Sequence, residues 1–512
     1  MNTGIDVVIA AAGFGSRMRG VSEHLHKGLL PFKDAPILWH IIQIVPEELR
    51  LALLLGHNGQ QLRDFCELAF PSRNITFIEI DDWSSEKAGT AYSLAAAENQ
   101  LNSSFWYLPC DGLFSESVFE NNPKESTYFT ANLSSGASQK YQVFEVDELG
   151  KIKTSKFKVE NLTQGVAFTG IMRIIGKGEY FKALKVSGAK EFATAIPTGA
   201  KTIQIASWLD LGNEADYLAA RAAHEKFDFT KPNEFTFVLP NIILKWWEDE
   251  KTPSEKLIKP AAHESVFPLE TRALGQFLSY EKASGSSFYD AVTPERFAKL
   301  LSWLRDGFWD ISELDISHAC ADFYKKKTLE RVGLMKLRLE EAQYKISSVD
   351  GVAVKSQKEY LDSIDWRRLE DMAAASPIHG DLQFDNVIFD PDREEFTLID
   401  WRNTFGDQLV FGDIYYDFAK LLGGIRLNYK RIKENDFGVE NRSGEVTLSI
   451  PTAANADALE GELKRFVGDM GLDFKQVQKL VPIIYWNMAP LHAEPFALFL
   501  WAFGMKQFEN LS

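Results

Sequence analysis

The sequence is poor in cysteine: Cys66, Cys110 and Cys320 are the only three in 512 residues, far apart and odd in number. No zinc-ligand spacing and no disulfide framework can be built from them, which points to a reducing, cytoplasmic setting. Long apolar runs are also missing. VVIAAAG near the start is too short to span a bilayer and follows no basic leader pattern, so it reads as a buried strand. The late stretch VPIIYWNMAPLHAEPFALFLWAFG is broken by prolines, a histidine and a glutamate, and reads as a buried helical pair rather than a membrane span. There is no excess of basic charge: 72 acidic against 56 basic residues give a net −16. That excludes non-specific binding to nucleic acid or to an acidic membrane face, and leaves room only for a local basic pocket.

The phosphate-binding signatures are incomplete in an informative way. The strand-like run IDVVIAAA is followed by GFGSRM, but the third glycine of G-x-G-x-x-G is replaced by Met18, and no acidic residue closes a second strand about twenty residues on. The G-x-x-x-x-G-K-S/T loop is absent as well. What stands there is a glycine turn followed by Ser16 and Arg17, and then HKGLLPF with Lys27. Backbone N–H groups plus two cations suit a triphosphate whose charge must be neutralised during chemistry.

The length predicts two or three domains, and 45% apolar with 25% charged residues is a globular composition. Up to about residue 225, strand-like and helix-like segments alternate: LRLALLLG, QQLRDFCELAF, ITFIEI, TAYSLAAAENQL and FWYLPCD. This predicts an α/β domain with an open, mostly parallel, Rossmann-like sheet. The polar, proline-containing EKFDFTKPNEF reads as a linker or domain start, giving domains 1–225 and 226–512. In the second, TFVLP with NIILKWW and then FLSYEKA read as strands, followed by long helices. A small β-lobe before a large α-lobe predicts a bilobal, protein-kinase-like α+β fold. The polar stretch 442–461 reads as an exposed loop.

Five segments in order, AAGFGSRM with KGLLPF, EKAGTAYSL, YLPCDGLF, VAFTGIMRI and SWLDLGNEADY, resemble the nucleotidyltransferases that make nucleoside-diphosphate sugars and related activated alcohols, including phosphocholine. The resemblance covers about residues 4–225. It implies that Ala11, Gly13, Gly15, Ser16, Gly89 and Thr90 face the nucleotide and that Gly170 faces the substrate. Asp111 and Asp210 would hold Mg²⁺, and Arg17 and Lys27 would neutralise the phosphates. Hard oxygen ligands at separate strand ends suit magnesium.

A second constellation lies in IHGDLQFDNVIFDPDREEFTLIDWR, with spacing H-G-D-x-x-x-x-N and an apolar strand ending at Asp400. Phosphoryl transfer to an alcohol needs a carboxylate at the attacking hydroxyl and metal ligands on the phosphates. The stretch resembles the aminoglycoside phosphotransferase and choline kinase group, over about residues 230–510. The resemblance makes Asp381 the hydroxyl-orienting base and Asn386 and Asp400 the Mg²⁺ ligands. It makes Lys245 the phosphate lysine, with Glu255 its guessed partner, although no glycine-rich loop precedes it. Tyr280 and Lys282 fall beside adenine, and Asp413, Asp417 and Trp401 on the substrate side. Trp401, Tyr415, Tyr416, Trp486 and Trp501 offer either core or a cage for an ammonium group.

Together the two resemblances imply successive reactions. ATP would phosphorylate a small alcohol of the choline or ethanolamine type, and CTP or another nucleoside triphosphate would then activate the phosphate for surface polysaccharide or lipid decoration. A sugar kinase with a sugar-1-phosphate nucleotidyltransferase is the alternative, and a sensing or scaffolding role for one half a further one. Partners are small molecules; oligomeric state is not legible.

Overall fold

The computed structural model describes residues 4–18, 20–21, 23–85, 89–115, 117–132, 140–157, 165–187, 196–224 and 233–511. The expected linker lies outside them up to residue 232, as do residues 86–88 of EKAGTAYSL. The described chain divides into two compact units. One holds residues within 1–225, 231–249 and 274–279; the other holds 250–273 and 280–512.

The first unit is built on a nine-stranded sheet. Ile5–Ala11 lies in its middle, paired in parallel with Leu51–Leu55 on one side and Leu101–Pro109 on the other. Ile75–Glu79 extends the parallel part. Val166–Ile175 joins antiparallel to Leu101–Pro109 and carries Gln142–Val146, Ile152–Phe157 and Thr127–Asn132 beyond it. A strand with parallel neighbours on both edges and helices on both faces must be apolar throughout, which is why IDVVIAAA does not alternate. The connecting helices are those the periodicity predicts, Ile37–Gln43, Gly59–Ala69 and Thr90–Ala96.

The hairpin Glu234–Val238/Ile242–Trp247 and the strand Phe277–Glu281 form with Arg272–Leu274 the expected small sheet. Its inner face is part of the first unit's core: Phe237, Leu244, Trp246 and Phe277 pack with Leu29, Leu62 and Phe65 in one cluster. Gln61 ties the two by donating to Gln276 Oε1 at 2.8 Å, and Val238 N donates to Asp34 O at 2.7 Å. The sequence break near 225 therefore does not coincide with the limit of the first unit's core.

In the second unit, Ala375–Pro377 pairs with Phe411–Asp413, and the hairpin Val387–Asp390/Glu395–Leu398 follows the H-G-D turn. Helices Pro294–Gly307, Ile414–Arg426, Ala456–Asp469, Phe474–Met488 and Phe496–Glu509 form the α-rich part. The last two are the expected buried pair, with Trp486 stacked on Trp501 at 4.3 Å. No helix among the described residues is long and apolar enough to cross a membrane. The stretch 442–461 is not a loop. Gly438–Arg442 and Glu445–Ser449 form a hairpin, and a helix begins at Ala456. Among its apolar side chains, Val446 and Leu459 are buried.

Leu244 is fully buried within the first unit's core. Leu244→Ala should lower stability by about 2–5 kcal/mol. In calorimetry the loss should fall on the first unit's unfolding transition.

Candidate functional sites

In the first unit the loop after Ile5–Ala11 makes a single tight turn, Ser16–Met18, pinned by buried Met18, whose N–H donates to Gly15 O at 2.8 Å. Loop and turn border a cavity of about 380 Å³. Its lining includes Gly13, Gly15, Ser16, Arg17, Lys27, Gly89, Thr90 and Gly212. Ala11 does not line it. Strand alternation sends Ala10 and Ala12 to the cavity and turns Ala11 into the core, so that expectation is corrected.

Asp111 follows Leu101–Pro109, and Asp210 ends the short strand Trp208–Asp210, which pairs with Gly112–Phe114 so that Asp210 lies opposite Gly112. Leu211 N donates to Asp111 O, and Gly212 N donates to Asp210 Oδ1 at 2.9 Å. A Cβ on Gly212 would stand 3.0 Å from Asp210 Oδ1 and 3.1 Å from Asp111 Oδ2. The two carboxylates thus converge on a cradle that only glycine leaves open, and two hard oxygen donors there would suit Mg²⁺. No group of three or more His, Cys, Asp or Glu side chains suited to a metal occurs among the described residues.

Lys27 Nζ lies 2.5 Å from Asp111 Oδ2. Burial alone would raise the Asp111 carboxyl, but Lys27, aided by Arg17, holds it below its ordinary range. Burial alone would likewise depress the Lys27 ammonium, and Asp111 outweighs it to hold Lys27 above its usual value. Asp210 is raised, first by burial and then by the nearby Asp111 charge. Gly170 sits at φ +83° on Val166–Ile175, where its Cβ would lie 3.5 Å from Pro109 Cγ, beside the strand end that carries Asp111.

Two features escape sequence reading. His26 is buried and neutral, its pKa pushed down to about 3 chiefly by burial. Its Nε2–H donates to Ala11 O at 2.8 Å and its Nδ1 accepts Gly28 N–H at 3.0 Å, locking the Lys27 loop to the central strand. Trp83 joins the cavity wall and forms an aromatic cluster with His57, at 5.2 Å, and half-exposed Phe14. A lone tryptophan in the polar run DDWSSE carries no periodic signal.

In the second unit, His379 repeats the His26 device. Its Nε2–H donates to Ile399 O at 2.8 Å and its Nδ1 accepts Asp381 N–H at 3.2 Å; burial pushes its pKa down to about 3. Asn386 Nδ2 donates to Asp381 O at 2.8 Å. Asp400, in the left-handed region at φ +59°, accepts from Tyr280 Oη at 3.3 Å. Asp381, Asn386, Asp400 and Tyr280 are therefore brought together. An amide and a carboxylate supply oxygen donors that fit Mg²⁺ as well.

Asp381 is held ionised. Burial would raise its carboxyl, but Lys420, 2.5 Å away on Ile414–Arg426 and 5% exposed, and then Arg402 outweigh that. Arg402 Nε donates to Gly380 O at 3.0 Å, and Gly380 must be glycine because a Cβ would come 2.7 Å from Arg402 Cβ. Neither cation stands at a motif spacing; both are found only by contact.

Three residues expected on the substrate side are corrected. Asp417 is fully buried and accepts the N–H groups of His379 and Gly380, at 2.8 and 2.7 Å, and Trp309 Nε1–H. Asp413 accepts from Tyr324 Oη at 2.7 Å and from Ala374 N. Trp401 is 1% exposed and packs on Phe267 at 4.9 Å. Asp413 caps the helix Ile414–Arg426 and Asp417 lies in its first turn, directed inward to brace the H-G-D loop, while Trp401 packs in the core. Lys245 is buried in Ile242–Trp247. Glu255 accepts from Asn403 Nδ2 at 2.7 Å. Exposed Lys282 lines a separate cavity of about 570 Å³ with Phe267, Trp303 and Phe396.

Gly212→Ala should place its methyl between the carboxylates and lower Mg²⁺-dependent nucleotidyl transfer tenfold or more in steady-state assays. The two histidines should also sensitise the fold to acid. Below their ordinary value of 6.5 the unfolded chain takes up protons that the buried rings refuse down to about 3. Stability present above that value is then lost as pH falls, by up to about 1.4 kcal/mol per pH unit for each ring. Urea unfolding at pH 7.5 and 5.5 should show the loss, with a shallower dependence in His26→Gln.

Curated relatives include the bifunctional protein GlmU of Methanococcus maripaludis strain S2, 24% identical over 173 residues (33% of this chain, 40% of the relative). That of Methanocaldococcus jannaschii is 24% identical over 226 residues (42% and 53%). The chain spans about half or less of these relatives' length. Similar solved structures include a UDP-glucose pyrophosphorylase complexed with UDP-glucose, at TM-score 0.37 and 18% identity, covering 43% of this chain and 98% of that one. Another is the CTP:phosphocholine cytidylyltransferase of Streptococcus pneumoniae, at 0.36 and 15%, covering 43% and 99%. Residues 318–440, which contain Asp381, Asn386, Asp400 and Lys420, match the phosphotransferase enzyme family, APH.

Proposed function

We propose that the chain is a bifunctional transferase whose second unit phosphorylates the hydroxyl of a small molecule with ATP, and whose first unit couples a phosphate ester to a nucleotide from a nucleoside triphosphate. The observation that carries this reading is the pairing found in each unit: an aspartate kept ionised by a buried or half-buried lysine, beside hard oxygen donors.

In the second unit Asp381 orients the hydroxyl and takes its proton as the oxygen bonds to the γ-phosphorus and ADP leaves. Lys420 keeps the carboxylate charged, and Asp417 fixes the backbone that presents it. Asn386 and Asp400 would hold Mg²⁺, which neutralises the triphosphate when bound. In the first unit a phosphate oxygen of the acceptor attacks the α-phosphorus and pyrophosphate leaves. Arg17 and Lys27 offset the charge that develops, and Asp111 and Asp210 would hold the metal.

Between the two acceptor classes, the sugar reading has the better support. The five aromatic side chains that could cage an ammonium, Trp401, Tyr415, Tyr416, Trp486 and Trp501, are all 5% exposed or less. The groups nearest Asp381 are cations. An amino alcohol would meet repulsion there, whereas a sugar meets hydrogen-bond donors. The base of the triphosphate, CTP or another, is left to experiment.

Phosphorus NMR with Mg²⁺, ATP and CTP, UTP or GTP, over sugars, amino alcohols and sugar 1-phosphates, should show a new phosphomonoester followed by a diphosphate diester and pyrophosphate. Asp381→Asn should cut phosphoryl transfer by about a hundredfold or more and leave nucleotidyl transfer to a supplied phosphate ester unchanged. Asp111→Asn should do the reverse. Loss of both activities in either folded variant would refute two separate sites.

A further inference from the structure

One helix of the second unit begins irregularly. Ala321–Lys326 is a π-helical stretch that runs directly into the α-helix Lys327–Glu341. Such stretches are rare and cluster at functional sites because they re-aim side chains at a cost in backbone geometry. Here the stretch places Phe323 as a platform between two cations. Lys327 Nζ lies 3.8 Å from the ring centre, and Arg402 Cζ lies 5.2 Å from it. Arg402 is the residue whose side chain holds Gly380 O in the H-G-D turn.

Four cations share this neighbourhood: Lys327 interacts electrostatically with Arg402, Arg331 and Lys420, and Arg331 with Arg402. Two carboxylates act on these cations: Asp381, which Lys420 already pairs, and Glu330 beside Arg331. Positive charge is therefore in surplus around the hydroxyl-orienting aspartate. Burial first, and then Arg402, Arg331 and Lys420, push the Lys327 ammonium down to about 6. Half-buried cations crowded without matching anions are unfavourable unless a ligand supplies the charge. The carboxylate of Asp381 is among the charges that act on Lys327.

We propose that the alcohol phosphorylated at Asp381 carries a fixed negative group, a carboxylate or a phosphate, that Lys327 and Arg331 recognise. The inference rests on the kinase reading of the second unit and narrows its substrate class. The acceptor presents its hydroxyl to Asp381 and its anion to the helix. A cationic acceptor is excluded by the same charges.

The test is phosphorylation by the full-length protein with Mg²⁺ and ATP of D-glucose, D-glucuronate and D-glucose 6-phosphate, with choline and ethanolamine as the cationic arm. Anionic acceptors should show kcat/KM at least thirtyfold above glucose, and the glucuronate and phosphate arms separate the two kinds of anion. Lys327→Met with Arg331→Met should raise KM for the anionic acceptor tenfold or more with a smaller change in kcat. Arg331→Lys should restore part of the loss, and thermal unfolding checks that the variants fold. Better turnover of choline or glucose overturns the inference and leaves the kinase standing, as does a double variant whose KM rises for ATP instead of the acceptor. If no alcohol is phosphorylated, the kinase reading is in question, and calorimetric titration of Asp381→Asn with glucuronate and glucose 6-phosphate decides the anion site. Binding lost on adding the double substitution supports the site; no binding by either anion overturns it.

Discussion

A carboxylate taken out of water keeps its charge only if a cation stays beside it, and both sites are arranged around that requirement. Lys27 lies 2.5 Å from Asp111 and Lys420 lies 2.5 Å from Asp381. In each case burial acts against the ionised form and the lysine wins. The consequence reaches outward. To hold Lys27 at Asp111, the HKGLLPF turn must be fixed against the central strand. To hold Lys420 at Asp381, the helix Ile414–Arg426 must be packed so that Asp417 grips the H-G-D backbone.

The two units, unlike in fold, solve the fixing problem with the same device. A buried neutral histidine donates from Nε2 to a strand carbonyl and accepts at Nδ1 the N–H two residues on, at His26 and again at His379. The second bond leads to Gly28 in one unit and to Asp381 itself in the other. Burial removes the imidazolium as an alternative, so each ring works as a fixed donor–acceptor bridge instead of a proton carrier. This agrees with giving the proton-accepting role to Asp381 rather than to its neighbouring histidine.

Charge also separates the two sites. In the first, Arg17 and Lys27 face two carboxylates across the Gly212 cradle, a balanced set that a metal and a triphosphate can enter together. In the second, Lys327, Arg331, Arg402 and Lys420 outnumber Asp381 and Glu330, the carboxylates that act on them. The difference follows from where the cations come from. The first site draws them from its own loop motifs, whereas the second recruits two from a helix whose register is shifted by a π-helical stretch.

Sequence by itself determined the fold class of both regions, and it singled out Lys27, Asp111, Asp210, Asp381, Asn386 and Asp400 as candidates. Apolar periodicity and motif spacing are local, and a chain shows them without folding. The same locality explains the failures. Ala11 sits inside a motif, yet the strand's alternation turns it into the core. Asp413, Asp417 and Trp401 follow a metal loop, yet helix packing buries them. The polar stretch 442–461 had too few apolar residues to look like a hairpin and a helix, but Val446 and Leu459 are buried. Only the tertiary structure decided that Gly212 keeps two carboxylates together, that Lys420 pairs with Asp381, and that a hairpin beyond residue 233 belongs to the first unit's core. Each of these depends on a contact between residues distant in sequence, where distance and burial, not residue type, set the energy.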